Sequence, residues 1–209
     1  MLVTNITAVV TDAAPAGRRA RTRARLLACA LDLFERQGYD QTTVAQIAQA
    51  AGVTEMTFFR HFASKDRLIV EDPYDPVIAE AVAAQPRTLP PLARTVAGIR
   101  AAWSRLPPPE SETVRRRVRI AAVTPSLRGA IAANNAATEQ ILVEQLVADG
   151  ADPAAARVAA AAVLAGITAA LLDWSQHDGQ PLAQAVERAL DTLEGRSPGK
   201  GRSTGRDGS

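Results

Sequence analysis

Arg18, Arg19, Arg21, Arg23 and Arg25 place five guanidinium groups within eight residues. Such a density of fixed positive charge suits pairing with closely spaced anions, a run of phosphates above all. It is a poor device for stabilising a helix start, where cations oppose the helix dipole. Further on, Thr43, Thr54 and the pair Ser64–Lys65 stand at expected helix starts. Free backbone N–H groups, hydroxyls and an ammonium group attract phosphate oxygens there. One such threonine alone reads as a helix cap. Three caps around one short helix, with His61 and Lys65 at its far end, point to phosphate contacts as well. Catalysis finds no support. Cys29 is the only cysteine, and His61 and His177 are the only histidines. No nucleophile elbow, phosphate-cradling glycine loop or metal-spaced cluster is present in the sequence. Neither an enzyme nor a metal or cofactor site is therefore expected.

The elements that must position these groups are helices. Hydrophobic residues make up 47% of the 209, aromatic ones 4%, and strand-favouring runs are scarce, so an all-α fold is expected. Start and stop signals give about nine helices. The first runs from near Arg18 to Gln37, with Leu26, Leu27, Ala30, Leu33 and Phe34 at helical spacing. Two short helices follow, capped by Thr43 and Thr54 and joined through Ala50-Ala51-Gly52-Val53. Val44, Ile47 and Ala48, and then Phe58 and Phe62, form the inner faces; Glu55, Met56, Thr57, Phe59 and Arg60 turn outward. A two-turn helix is not stable alone in water. Its expected use is presentation, since a helix fits the major groove of DNA. Ser64 is expected to cap a fourth helix reaching Ala84, kinked at Pro73 and Pro76.

The segment from Gly38 to Leu68, GYDQTTVAQIAQAAGVTEMTFFRHFASKDRL, closely resembles the N-terminal domain of the TetR family of repressors. The spacing of its aromatic, Thr, Ile-Ala and Ala-Gly-Val positions matches without gaps, over about a quarter of the chain. The resemblance implies phosphate contacts at Thr43, Thr54, His61 and Lys65, and base or groove-wall contacts at Glu55, Met56, Thr57, Phe59 and Arg60. Commoner members carry Lys, Arg or Gly where this chain has Glu55 and Met56. Glu55 is better explained by the helix dipole than by cytosine, whereas Met56 suits a thymine methyl. Arg18, Arg19 and Arg21 are read as an arm along the backbone or in the minor groove.

Four stretches follow: a disordered segment 1–16, a DNA-binding head 17–63, a helical regulatory and dimerisation domain 64–194, and a flexible basic tail 195–209. Charge follows the same division. Residues 1–70 carry nine Lys/Arg against six Asp/Glu, and residues 71–194 carry eleven against fifteen. In the body, a helix over 126–149 has Asn134, Thr138 and Gln145 within an otherwise apolar stripe. With Trp103, Trp174 and His177 they are candidates to line a pocket for a largely apolar effector. Among Arg115, Arg116, Arg117 and Arg119, one of the latter two is a candidate for an anionic ligand, with a solvated or ion-paired face the commoner case. The Ala-rich helix from Pro153 is apolar nearly all round, which requires cover on several sides. With Leu182, Ala185, Val186, Ala189, Leu190 and Leu193 of the last helix it is expected to build a two-fold dimer reading a palindromic operator in duplex DNA. Its uncharged run, Val158–Leu172, is short for a membrane span, and no signal peptide is evident, so a cytoplasmic location is expected. The rival readings are a non-specific architectural DNA binder using the arginines and tail, and a helical ligand-binding module without DNA function.

Overall fold

The computed structural model describes residues 17–70, 75–105, 111–177 and 179–196. Ten α-helices and one short 3-10 turn follow one another in these residues, with no strand among them. They are α1 (Arg18–Gln37), α2 (Val44–Ala50), α3 (Glu55–His61), α4 (Arg67–Val70), α5 (Asp75–Ala83), α6 (Pro91–Arg105), α7 (Ser111–Val123), α8 (Arg128–Ala148), α9 (Pro153–Gln176) and α10 (Leu182–Leu193), with the 3-10 turn Pro125–Leu127 before α8. The expected segment 1–16 and the tail from residue 197 lie outside the described residues.

Two apolar clusters organise the chain. In the head, Leu26, Ala30, Leu31 and Phe34 of α1 close over Ile47, Ala48, Phe58 and Phe62. Leu68, Ile69 and Val70 of α4 complete this cluster, as do Ile120 and Ala121 of α7, Leu127, and Ile131 of α8. In the body, α9 runs through the middle, burying Val163, Ile167, Leu171 and Trp174 against α6, α7, α8 and α10. Asp152 caps α9 by accepting from Ala155 N at 2.9 Å, and Pro153 stands at the first helical position, where no N–H is lost.

Several expectations change. The expected fourth helix is described in two parts, α4 and α5, and residues 71–74 between them lie outside the described residues. Pro76 sits in the first turn of α5, where proline is tolerated, and Pro73 lies outside the described residues. Ser64 does not cap α4. The chain first turns through Ser64–Asp66, and Asp66 O accepts from Val70 N.

The α9–α10 surface also differs. Of the six α10 residues expected there, Leu182, Ala185, Val186 and Leu190 are buried in the body of their own chain, while Ala189 and Leu193 are half-buried. The outer face of α9 is left open instead, with Val158 69% exposed and Ala161 and Ala165 exposed beyond it. Exposed Arg157 and Asp173 bracket the uncharged stretch, which at 1.5 Å per residue is about 22 Å long, shorter than a hydrocarbon core.

At Gly98 on α6 a Cβ would lie 2.6 Å from Val82 Cα and 2.5 Å from Val82 Cγ2. The α5–α6 crossing therefore admits no side chain there. Buried Arg94 and Asp149 pair at 2.5 Å, Arg87 joins Asp149 at 2.7 Å, and Gln145 donates to it at 2.7 Å, tying α6 to the end of α8. Arg100 of α6 joins Glu187, Asp191 and Glu194 at α10.

Candidate nucleic-acid interface

The candidate surface is built on α2 and α3. Thr43 Oγ1 accepts from Gln46 N at 3.2 Å, while Gln46 Oε1 accepts from Thr43 N at 2.9 Å, a reciprocal cap that fixes the start of α2. Gly52, at φ +62°, makes the turn that a Cβ would strain. Thr54 Oγ1 then accepts from Thr57 N at 3.2 Å and starts α3. Phe58 is fully buried and stacks on Phe62 at a centroid distance of 5.8 Å, so the inner face of α3 is fixed by the head core.

That anchoring decides what faces out. Glu55, Met56, Phe59 and Arg60 are exposed. Thr57 is not among them. It is half-buried, and its hydroxyl is paired with Thr54 Oγ1 at 3.0 Å, so it is shared with the cap of α3. Arg60 Nη2 lies 3.9 Å from Met56 Sδ, which brings the two side chains together on one face.

The arginine cluster is helical. Arg18, Arg19, Arg21, Arg23 and Arg25 all lie in the first two or so turns of α1, so they form a charged helix end and not an extended arm. Arg23 turns inward. Its Nη1 donates to His61 O at 2.6 Å, and its guanidinium lies 4.1 Å from the Phe62 ring centre. This contact seats the start of α1 beside the end of α3, with Arg19 on the same side of α1; Arg18, Arg19, Arg21 and Arg25 are all exposed. Partial burial, and then Arg19 and Arg23, hold the His61 imidazole below the usual histidine range, so it is neutral at neutral pH.

Lys65 does something the sequence did not suggest. Its Nζ donates to Tyr39 O and Thr42 O, each at 2.8 Å, and lies 4.1 Å from the Tyr39 ring centre. Desolvation lowers its pKa, against the opposing pull of Asp40. Lys65 thus ties the chain after α3 to the α1–α2 turn, and one N–H remains for an outside acceptor.

The head is joined to the body by four arginines of α7. Arg116 bonds Asp32 and Glu35 of α1. Arg117, fully buried, donates to Ile69 O of α4 at 3.0 Å. Arg115 donates to Trp174 O and His177 O, at 2.9 and 2.7 Å, and packs 4.1 Å from the Trp174 ring centre. Arg119 donates to Ser175 O at 2.7 Å. Arg115 and Arg119 therefore close the carbonyl end of α9, where positive charge suits the dipole. Arg117 and Arg119 have structural partners in place of the anionic ligand considered for them.

The candidate pocket residues of the body do not converge. Trp174 is fully buried, donating from Nε1 to Gln180 O at 2.8 Å, while His177 is exposed at the end of α9. Trp103 is half-buried against the body core, and Gln145 is engaged by Asp149. Thr138 is buried and donates to Asn134 O at 3.2 Å. Asn134 Nδ2 and the neighbouring Asn135 Oδ1 are buried without a hydrogen-bond partner, between Ile131 of the head cluster and Leu142 of the body cluster. A cleft of about 310 Å³ lies elsewhere, at the head–body seam, lined by Phe34, Tyr39, Asp40, Ile120, Val123 and Thr124 among others. No group of three or more His, Cys, Asp or Glu among the described residues is arranged to hold a metal ion.

Comparison with known proteins covers both halves. Residues 26–72 match the model of bacterial regulatory proteins of the tetR family, and residues 89–198 match that of the MftR C-terminal domain, another model of the same family group. The HTH-type transcriptional regulator TcmR of Streptomyces glaucescens is 58% identical over 48 residues, which are 23% of this chain and 21% of TcmR. The uncharacterized HTH-type regulator YvkB of Bacillus subtilis is 42% identical over 48 residues, 23% of this chain and 25% of YvkB. The match therefore spans no more than about a quarter of either curated relative. Among solved structures, NalD, the secondary repressor of the MexAB-OprM multidrug efflux pump in Pseudomonas aeruginosa, is 26% identical with a TM-score of 0.51, covering 83% of this chain and 94% of NalD.

Proposed function

The chain belongs to the TetR family of bacterial regulatory proteins, and from that premise we propose that it is a transcriptional repressor which binds a palindromic DNA operator as a homodimer and responds to a small-molecule effector. The observation that carries this reading is the presentation of α3. Its inner face is locked by Phe58 and Phe62, and its outer face carries exposed Glu55, Met56, Phe59 and Arg60, with exposed Arg19 of α1 near the end of the helix. Thr43, Thr54, His61 and the remaining N–H of Lys65 are proposed to meet phosphates around that helix.

Dimerisation is assigned to the open face of α9, where Val158, Ala161 and Ala165 allow close helix approach. Two-fold pairing there would set two heads on successive major grooves of one duplex face. An effector in the body is supported by Asn134 Nδ2 and Asn135 Oδ1, since a buried polar atom without a partner invites one. Repression, rather than activation, is the reading supported by the likeness to NalD. The proposed site of action is the cytoplasm.

Selection of bound fragments from random-sequence duplex DNA by the full-length chain tests this function. Enrichment of an inverted repeat, with half-site centres about one helical turn apart, is expected. Recovery of unselected sequence with undiminished binding would favour the non-specific binder.

A further inference from the structure

We propose that α3 reads thymine C5-methyl groups through an apolar pair, Met56 and Phe59, so that the bound half-site has A·T pairs at its centre. This rests on the assignment of α3 to the major groove and names the base chemistry that the groove must present. Met56 is 67% exposed and Phe59 52% exposed, and they are two of the five large apolar side chains left exposed among the described residues. The fold does not need them outside, because Phe58 and Phe62 already seat the helix. At about 100° per residue, Phe59 and Met56 occupy the middle of the outward face, with Glu55 and Arg60 on its two sides.

The pair is also held in place. The Phe59 ring meets the Phe58 ring edge-on at 5.4 Å, and the Arg60 guanidinium leans to Met56 Sδ at 3.9 Å. Thr57, which stood to supply a hydroxyl, is paired with Thr54. The outward face thus has two polar side chains and an apolar centre. In the major groove every base edge shows donors or acceptors, but only thymine adds a methyl group. An apolar side chain set against an acceptor or donor strips it of water without replacing the bond. Set against a methyl group, it removes apolar surface from water on both sides. Exposed Arg19, on the side of α1 that meets the end of α3, and the other exposed arginines of that helix end make a polyanion, and not an apolar protein surface, the partner that covers this patch.

The experiment uses a duplex selected by the full-length chain from random-sequence DNA, in which each thymidine is replaced in turn by deoxyuridine, with binding read by fluorescence anisotropy. Removing one buried methyl group is expected to weaken binding about fourfold at one or two positions in each half-site. In Met56→Ala or Phe59→Ala the same replacement has no effect, while the thermal midpoint of Met56→Ala stays within a degree or so of the parent because that side chain is exposed. If uridine is tolerated at every position while the duplex still outcompetes shuffled DNA, methyl reading is overturned and the groove assignment stands. If no sequence is preferred at all, the groove assignment falls and methyl reading with it.

Discussion

Arg116 of α7 grips Glu35 of α1 through two parallel hydrogen bonds, Nε to Oε1 and Nη2 to Oε2, each 2.7 Å long, and reaches Asp32 with the same Nη2 at 2.5 Å. A fork of this kind fixes direction as well as distance. It links the helix that carries the exposed arginines to the helix whose neighbouring Arg115 and Arg119 close the end of α9. Side chains of α7 thus connect α9 in the body to α1 in the head.

That linkage predicts a separation of effects. Arg116→Ala should cost about 1 kcal/mol or less of stability, as half-exposed ion pairs do. The change in DNA affinity caused by effector should shrink by more than the stability loss explains, and base preference should stay the same. A thermal melt, with effector-dependent anisotropy titrations, checks the three together. Equal loss of affinity with and without effector would remove Arg116 from the transmission.

The arginines of α1 predict a salt effect. Arg18→Ala, Arg19→Ala and Arg21→Ala combined should reduce the slope of log affinity against log salt by up to about 3, one for each phosphate that is no longer neutralised. Lys65→Ala should behave differently. Its ammonium holds Tyr39 O and Thr42 O, so the thermal midpoint of the head should fall, with a smaller change of slope. The slope and the midpoint, measured on the same preparations, distinguish the two kinds of lysine and arginine role.

Proton uptake should accompany DNA binding. In the free chain partial burial, Arg19 and Arg23 hold the His61 pKa below 6.5. Phosphates set against this corner would offset those cations and raise the pKa in the complex. More protons bound in the complex means that affinity rises as pH falls from about 8 towards 6. His61→Gln should flatten that slope. An unchanged slope in the variant would place the titration elsewhere.

Much of the head is legible in the sequence because its determinants are local. Thr43 and Thr54 cap the helices that follow them within three residues, and Phe58 with Phe62 shows one face at helical spacing. The bonds that Lys65, Arg23 and Thr57 make within the chain could not be seen in the sequence. Lys65 meets a carbonyl 26 residues away and Arg23 one 38 residues away, pairings that only the folded head creates. The four arginines of α7 looked too many for one face for the same reason. Arg116 reaches back 81 residues to Glu35, whereas Arg119 reaches forward 56 residues to Ser175. Composition showed that α9 needed cover, but not which face its own chain would supply.

The body offers two stability tests. Gly98→Ala forces a Cβ against the Val82 backbone and should destabilise by about 3 kcal/mol or more, beyond the usual range for overpacking, since backbone cannot swing aside. Gly166→Ala meets only the flexible end of Leu193, 3.1 Å away, and should be far milder. Hydrogen bonds from Gln145 and Arg94 hold the Asp149 carboxyl below its ordinary 3.8. A lowered carboxyl contributes stability that is complete above its ordinary value and is lost as pH falls through the folded value. The gap in urea midpoint between the parent and Asp149→Asn should therefore be constant from about pH 7 to about 5 and narrow below about 4.

The claim on which the rest depends is sequence-specific reading by α3, and competition binding at physiological salt measures it most directly. A labelled duplex selected by the full-length chain is challenged with the same duplex unlabelled and with a shuffled one. The selected duplex is expected to compete at least about a thousandfold better, and Arg60→Ala to reduce that ratio more than it reduces binding to shuffled DNA. Equal competition by the two duplexes would contradict the account.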